Sequence, residues 1–174
     1  ATQIASLSSP LRERFGVVHR LNFYHDQDIE QIITRSAEIL GIEIAPGASK
    51  ELAKRARRTP RIANRLLKRV RDYAQVKGDG SIDRKIAKRA LEMLQIDPLG
   101  LDDVDRQVLE VIIEKFSGGP VGLKALSAAT SEEKETIEEV YEPYLMQIGF
   151  LDRTPQGRVA TENAYQHLGV QIPA

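Results

Sequence analysis

The tetrapeptide Asp97-Pro98-Leu99-Gly100 divides this chain, because proline and glycine both interrupt a helix and the charge balance reverses at the same place. Residues 1–97 hold 19 Lys and Arg against 12 Asp and Glu, a balance of +7, whereas residues 98–174 hold 6 against 13, a balance of −7. A length of 174 residues with 41% hydrophobic side chains leaves room for one domain or two small ones and excludes general disorder. Two units with different surfaces, joined at this segment, are therefore expected.

Residues 24–95 carry helical spacing throughout. Asp26 and Asp28 open a helix with Ile29, Ile32, Ile33, Ala37 and Leu40 on one side, and Gly41 stops it. A second helix follows Pro46 and turns Ala48, Leu52 and Ala56 inward. The third runs from Thr59 to near Gly78, with Ile62, Leu66, Val70, Tyr73 and Ala74 inward; Ser81 then caps a fourth, whose apolar side is Ile86, Ala87, Ala90, Leu91 and Leu94. Together they predict a compact four-helix unit. Residues 1–23, with a β-prone stretch at 17–23, read as the edge of another domain.

The third helix holds the sharpest local signal. Thr59 is suited to cap it, Pro60 to its first position, and Arg61 falls in the first turn. A cation there opposes the helix dipole unless an anion or an acidic partner compensates, so Arg61 reads as a phosphate contact. Lys54 to Arg71 holds nine basic residues and no acid. A charge run alone reads first as a solvated helical face, with phosphates or an acidic neighbour as the alternative.

Residues 96–174 give three helices and then a hairpin. Val104, Val108, Leu109, Ile112 and Phe116 mark the first helix, Gly118-Gly119-Pro120 a turn, and Leu123 with Leu126 a short second helix. Thr130 and Glu133 form a capping box for the third, which carries Ile137, Val140, Tyr141, Tyr144, Leu145 and Ile148 toward the core. Phe150 to Thr154, a Pro155-Gln156-Gly157 turn and Arg158 to Thr161 make the hairpin. This is the order of a winged helix, although a protein-binding module would share it. The recognition-helix position bears Glu132, Glu133, Glu135, Glu138, Glu139 and Glu142 against Lys134 alone, so a groove contact there would be repulsive. Arg153 and Arg158 on the hairpin are the better candidates for phosphate contact without base selectivity.

Exclusions narrow the function classes. No cysteine occurs, which removes disulfides and thiolate chemistry and fits a reducing cytoplasm; His19, His25 and His167 lack paired-ligand spacing, so no metal site is expected. No apolar run approaches the ~20 residues of a membrane helix, and no export leader is seen, so neither a membrane partner nor export is expected.

Five segments in order carry a family resemblance: Pro10-Leu11-Arg12-Glu13-Arg14-Phe15-Gly16, the Thr59 to Ala74 helix, Gly118-Gly119-Pro120-Val121-Gly122-Leu123, Glu142-Pro143-Tyr144-Leu145, and Arg153-Thr154-Pro155-Gln156-Gly157-Arg158. Over nearly its whole length the chain resembles the RuvB family of bacterial Holliday-junction branch-migration motors. The resemblance implies a mainly α architecture: a C-terminal remnant of an AAA+ ATPase core at 1–23, a helical AAA+ lid at 24–95 and a winged-helix DNA-binding domain at 96–174. It further implies ATP or ADP with Mg²⁺, a homohexamer acting on the duplex arms of Holliday junctions in recombination and repair, and RuvA and RuvC as partners in the cytoplasm. No Gly-Lys-Ser/Thr loop or magnesium-binding acidic strand end occurs in this chain. It is therefore expected to be a fragment that binds nucleotide and RuvA mainly through an absent core, hydrolyses no ATP alone and is monomeric or weakly associated.

Residue by residue, Arg14 resembles the family's arginine finger, acting in trans on a neighbour's γ-phosphate, where loss of such a group costs on the order of 10³–10⁵ in turnover. Tyr24 matches the adenine-side contact, Arg61 the lid arginine called sensor 2, and Thr2 the sensor 1 position, where this chain reads Ala1-Thr2-Gln3-Ile4 against the family's common Ala-Thr-Thr-Arg. Arg153 and Arg158 match the DNA-contacting arginines of the wing. Gln156 replaces a frequent arginine and predicts a slightly shallower salt dependence. The other readings are a winged-helix transcription or replication-initiation factor with a helical regulatory domain, and a protein-interaction adaptor using the acidic face.

Overall fold

The computed structural model describes Arg14 and residues 24–172. Thr2 and the β-prone segment 17–23 lie outside the described residues.

Four helices build the first unit: α1 (Asp26–Ile39), α2 (Pro46–Arg55), α3 (Pro60–Lys77) and α4 (Arg84–Met93). Ile29, Ile33 and Ala37 of α1 pack with Ala48 and Leu52 of α2, Leu66, Leu67, Val70 and Ala74 of α3, and Ala87, Ala90 and Leu91 of α4. The alanines let the helix axes approach closely, and the branched residues fill the space left between them. A single parallel bridge, Ile44 to Ile82, ties the α1–α2 and α3–α4 connections together. Leu40 falls outside the expected inner face and is exposed, because α1 ends just before it and the chain turns at Gly41, whose φ is +64°.

The expected caps are replaced by others. Thr59 does not cap α3, because its hydroxyl donates back to the Arg57 carbonyl at 3.0 Å. Ser81 donates to Asp79 instead of capping α4, and Asp83 accepts from the Ile86 amide at 2.6 Å in its place. Each polar side chain takes the partner, backbone or side chain, that its own turn presents first.

The Asp97 segment is a pinned turn. One Asp97 carboxylate oxygen accepts from the Leu99 and Leu101 amides, both at 2.8 Å, and the other meets His167 Nε2 at 2.6 Å. Gly100 has φ +82°, and a Cβ there would lie 2.5 Å from the Arg55 carbonyl oxygen. Only glycine lets the second unit close this tightly on the first.

That second unit comprises α5 (Asp103–Glu110) running into a π-helical turn (Val111–Lys115), α6 (Leu123–Thr130), α7 (Lys134–Thr136), a second π-helical turn (Ile137–Tyr141), α8 (Glu142–Gln147), β1 (Leu151–Thr154), β2 (Gly157–Ala160) and α9 (Glu162–Leu168). Its own core gathers Leu101, Leu109, Ile112, Leu126, Ile137, Leu145, Leu151 and Ala164. The Thr130–Glu133 capping box does not form. Thr130 still belongs to α6 and donates to the Leu126 carbonyl at 2.9 Å, and α7 opens after a left-handed Ser131. The π turn shifts the helix phase, and Val140 comes out 54% exposed rather than inward. Among the described residues, no helix is long and apolar enough to cross a membrane.

Candidate functional site

The hairpin register places Arg153 directly opposite Arg158, one pair before the closing pair Thr154 and Gly157. Thr154 closes the turn by exchanging hydrogen bonds with Gly157. Val121 joins β2 from the far side, exchanging amide and carbonyl with Arg158 at 2.9 and 2.8 Å. The wing is thus a short hairpin flanked by a third extended residue, with both arginines next to its turn.

Their environments differ sharply. The Arg153 side chain is 50% exposed and pairs with Glu138. Arg158 is 6% exposed and forks onto buried Glu142, with Nε 2.6 Å from Oε1 and Nη2 3.2 Å from Oε2. Both acids belong to the segment that sequence reasoning treated as a repulsive recognition helix. Part of that negative charge is spent inside the domain, holding the wing. The Glu142 spacing to Arg158 carries no local signature, so no sequence pattern marks this pair.

Arg61 stands in the first turn of α3, exposed, and lines a cleft of about 360 Å³ between the two units with Arg57, Arg65, Asp102, Tyr141 and Tyr144. Among the described residues Arg61 has no ion-pair partner within its own chain, so nothing here neutralises a cation at the positive end of a helix. Tyr24 is 47% exposed and lines a separate depression with Asp28, Gln31, Ile32 and Arg35. The structure therefore does not bring Tyr24 and Arg61 into one pocket. Arg14 is exposed in a turn.

A cluster that sequence reasoning missed joins the units. Arg57, in the turn before α3, donates from Nε to the Gly100 carbonyl at 2.8 Å and pairs with fully buried Asp105 on α5. Its guanidinium carbon lies 4.8 Å from the centroid of the Tyr144 ring. The Tyr144 hydroxyl donates to the Leu99 carbonyl. Asp102 and Asp105 cap α5 reciprocally, each accepting from the other's backbone amide. Burial pushes the Asp105 carboxyl up to about 6, outweighing the opposite pull of Arg57. The Asp102-to-Asp105 spacing was the available signal for the cap; nothing local marked Arg57 as its partner.

A four-helix unit with an arginine at the head of its third helix, seated on a winged helix, defines a lid and winged-helix module. The RuvB AAA lid domain model matches residues 24–97, and the RuvB C-terminal winged helix domain model matches residues 98–169. The chain belongs to the RuvB family. It is 58% identical over 172 residues to the Holliday junction branch migration complex subunit RuvB of Chloroflexus aurantiacus, covering 99% of this chain and 49% of that protein. With RuvB 2 of a Synechococcus species it shares 59% over 168 residues, 97% of this chain and 45% of the relative. The solved structure of the Thermotoga maritima RuvB Holliday junction branch migration motor superposes with a TM-score of 0.89 at 52% identity, over 96% of this chain and 56% of that one. The chain spans about half the length of the curated relatives it matches.

Proposed function

We propose that this chain is the lid and DNA-gripping part of an ATP-driven motor that moves Holliday junctions. The observation that carries the reading is the wing: a rigid hairpin with a half-exposed Arg153 beside Arg158, set on a domain whose helical face is acidic. Phosphate contact through the hairpin keeps the acidic face off the duplex and reads no bases, which suits a translocating machine. Arg153 meets phosphate by exchanging its surface partner Glu138, whereas Arg158 must share or leave Glu142 to do so.

Arg61 supports the nucleotide half of the proposal. Its exposure and the absence of an acidic partner among the described residues fit a group that waits for phosphate. In this reading Arg61 holds the phosphates, Tyr24 flanks the base, Thr2 senses the γ-phosphate and Arg14 reaches a neighbouring subunit's nucleotide. Bound ATP with Mg²⁺ supplies the phosphoryl group whose loss drives the motor. The residues of this chain bind and orient it, and hydrolysis requires a phosphate-binding loop that the 174 residues do not contain. A hexameric ring with RuvA and RuvC as partners completes the proposal.

Fluorescence anisotropy with labelled duplex and four-way-junction DNA across a salt series tests it. Sequence-independent binding that weakens with salt and is reduced by Arg153→Ala, which leaves the buried Arg158–Glu142 pair intact, is the expected result. Binding untouched by that variant would move the grip elsewhere.

A further inference from the structure

Arg57 and Arg58 have φ of +50° and +53°, two successive non-glycine residues in the left-handed region. Such a backbone costs free energy and persists only where the surroundings hold it. Here the holding group is the Arg57 guanidinium, which is nearly buried and touches three places in the second unit at once: the Gly100 carbonyl, the Asp105 carboxylate and the Tyr144 ring.

We infer that Arg57 is a positioning residue that seats the winged-helix domain, and with it the Glu142–Arg158 clamp under the wing, on the start of the helix that carries Arg61. Its functional meaning rests on the motor reading above; its geometry does not. Arg57 lies four positions before Arg61, and its carbonyl takes the Thr59 hydroxyl at the head of α3. Tyr144 lies two positions after Glu142 on α8, so the residue beneath the Arg57 cation sits on the same short helix as the acid that clamps the wing. Only a planar fork makes the Nε contact to Gly100 while its Nη atoms reach Asp105; an ammonium of equal charge cannot. The hydroxyl of Tyr144 on the Leu99 carbonyl and the close seat of Gly100 on Arg55 leave the intervening turn little freedom to absorb a rotation. Movement of the lid is delivered to the wing through this seat.

The chain contains no cysteine, so Lys88→Cys in the first unit and Gln166→Cys in the second allow clean spin labelling at exposed sites. Double electron–electron resonance should show one narrow distance distribution for the parent. A broader one is expected for Arg57→Lys and Arg57→Ala, and an intermediate one for Tyr144→Phe, with circular dichroism confirming helix content. Should Arg57→Ala fail to fold, Arg57→Lys and Tyr144→Phe decide the matter, and parent-like widths in both would overturn the inference. In the complete motor, Arg57→Lys should hold ATP turnover within about twofold while junction migration per ATP falls about threefold or more. An unchanged ratio would overturn the coupling role. A parent motor that moves no junction would sink the motor reading itself, leaving the seating role to the spin labels.

Discussion

Arg158 and Glu142 form a buried fork under the wing, with Nε of the arginine 2.6 Å from Oε1 of the glutamate and the residues 6% and 1% exposed. The pair ties β2 to α8, and its burial makes it asymmetric under mutation. Glu142→Ala leaves the buried Arg158 with only the longer 3.6 Å contact to half-exposed Glu138 and should cost about 3 kcal/mol, seen as a lower urea midpoint of the winged-helix transition. The double change Glu142→Leu/Arg158→Met should lie much closer to the parent, because an apolar pair avoids desolvating two charges. Equal losses in both variants would refute this account.

Arg153 is the contrasting case. It is half exposed, and its pairing with Glu138 is screened by solvent. Arg153→Ala should leave folding stability almost unchanged and reduce the slope of log affinity against log salt for duplex DNA by about 0.9. Glu138→Gln, which removes the competitor, should tighten duplex binding; a weakened complex would argue against phosphate contact here.

The two units carry acid-linked groups of opposite sign. Glu51 is held at about 2, below its usual 4.5, chiefly by its hydrogen bond to Arg55, with Arg84 adding to it. The folded state binds that proton more weakly than the unfolded chain, so its stabilisation is present above pH 4.5 and is lost as pH falls toward 2. Glu51→Gln should flatten the fall in melting temperature over this window.

Asp105 behaves in reverse. Burial raises it from 3.8 to about 6, so the folded state binds its proton more tightly than the unfolded chain and this group's contribution declines as pH rises through that interval. Asp105→Asn should remove the decline, measurable by calorimetry between pH 4 and 6.5 with Glu51→Gln as background.

Gly157 closes the hairpin at φ +148°, and a Cβ there would lie 2.4 Å from the Val121 carbonyl oxygen. Gly157→Ala should cost about 2 kcal/mol or more, since backbone on both sides must move. Amide exchange should show the Arg158 and Val121 amides losing protection first.

Much of the architecture follows from local pattern. The four-residue spacing of Ile29, Ile33 and Ala37, the proline heads of α2 and α3, and the Pro155-Gln156-Gly157 turn each specify their element within a few residues, and the buried faces largely agree with that spacing. Where several side chains compete for one turn, pattern fails: Asp83 rather than Ser81 caps α4, and the π turn brings Val140 outward.

The amino-acid sequence by itself determined the helices, the hairpin, the break at Asp97 and the presence of arginines at positions 61, 153 and 158. Only the tertiary structure decided which of those cations is available: Arg158 is clamped, Arg153 half free and Arg61 open to the cleft, while Arg57 became the seat between the units. Helix and turn signals act over a few residues, but Arg57 meets Asp105 across 48 positions and Gly100 across 43. Which charge meets which at such separations is set by how the two cores pack, and no local spacing encodes it.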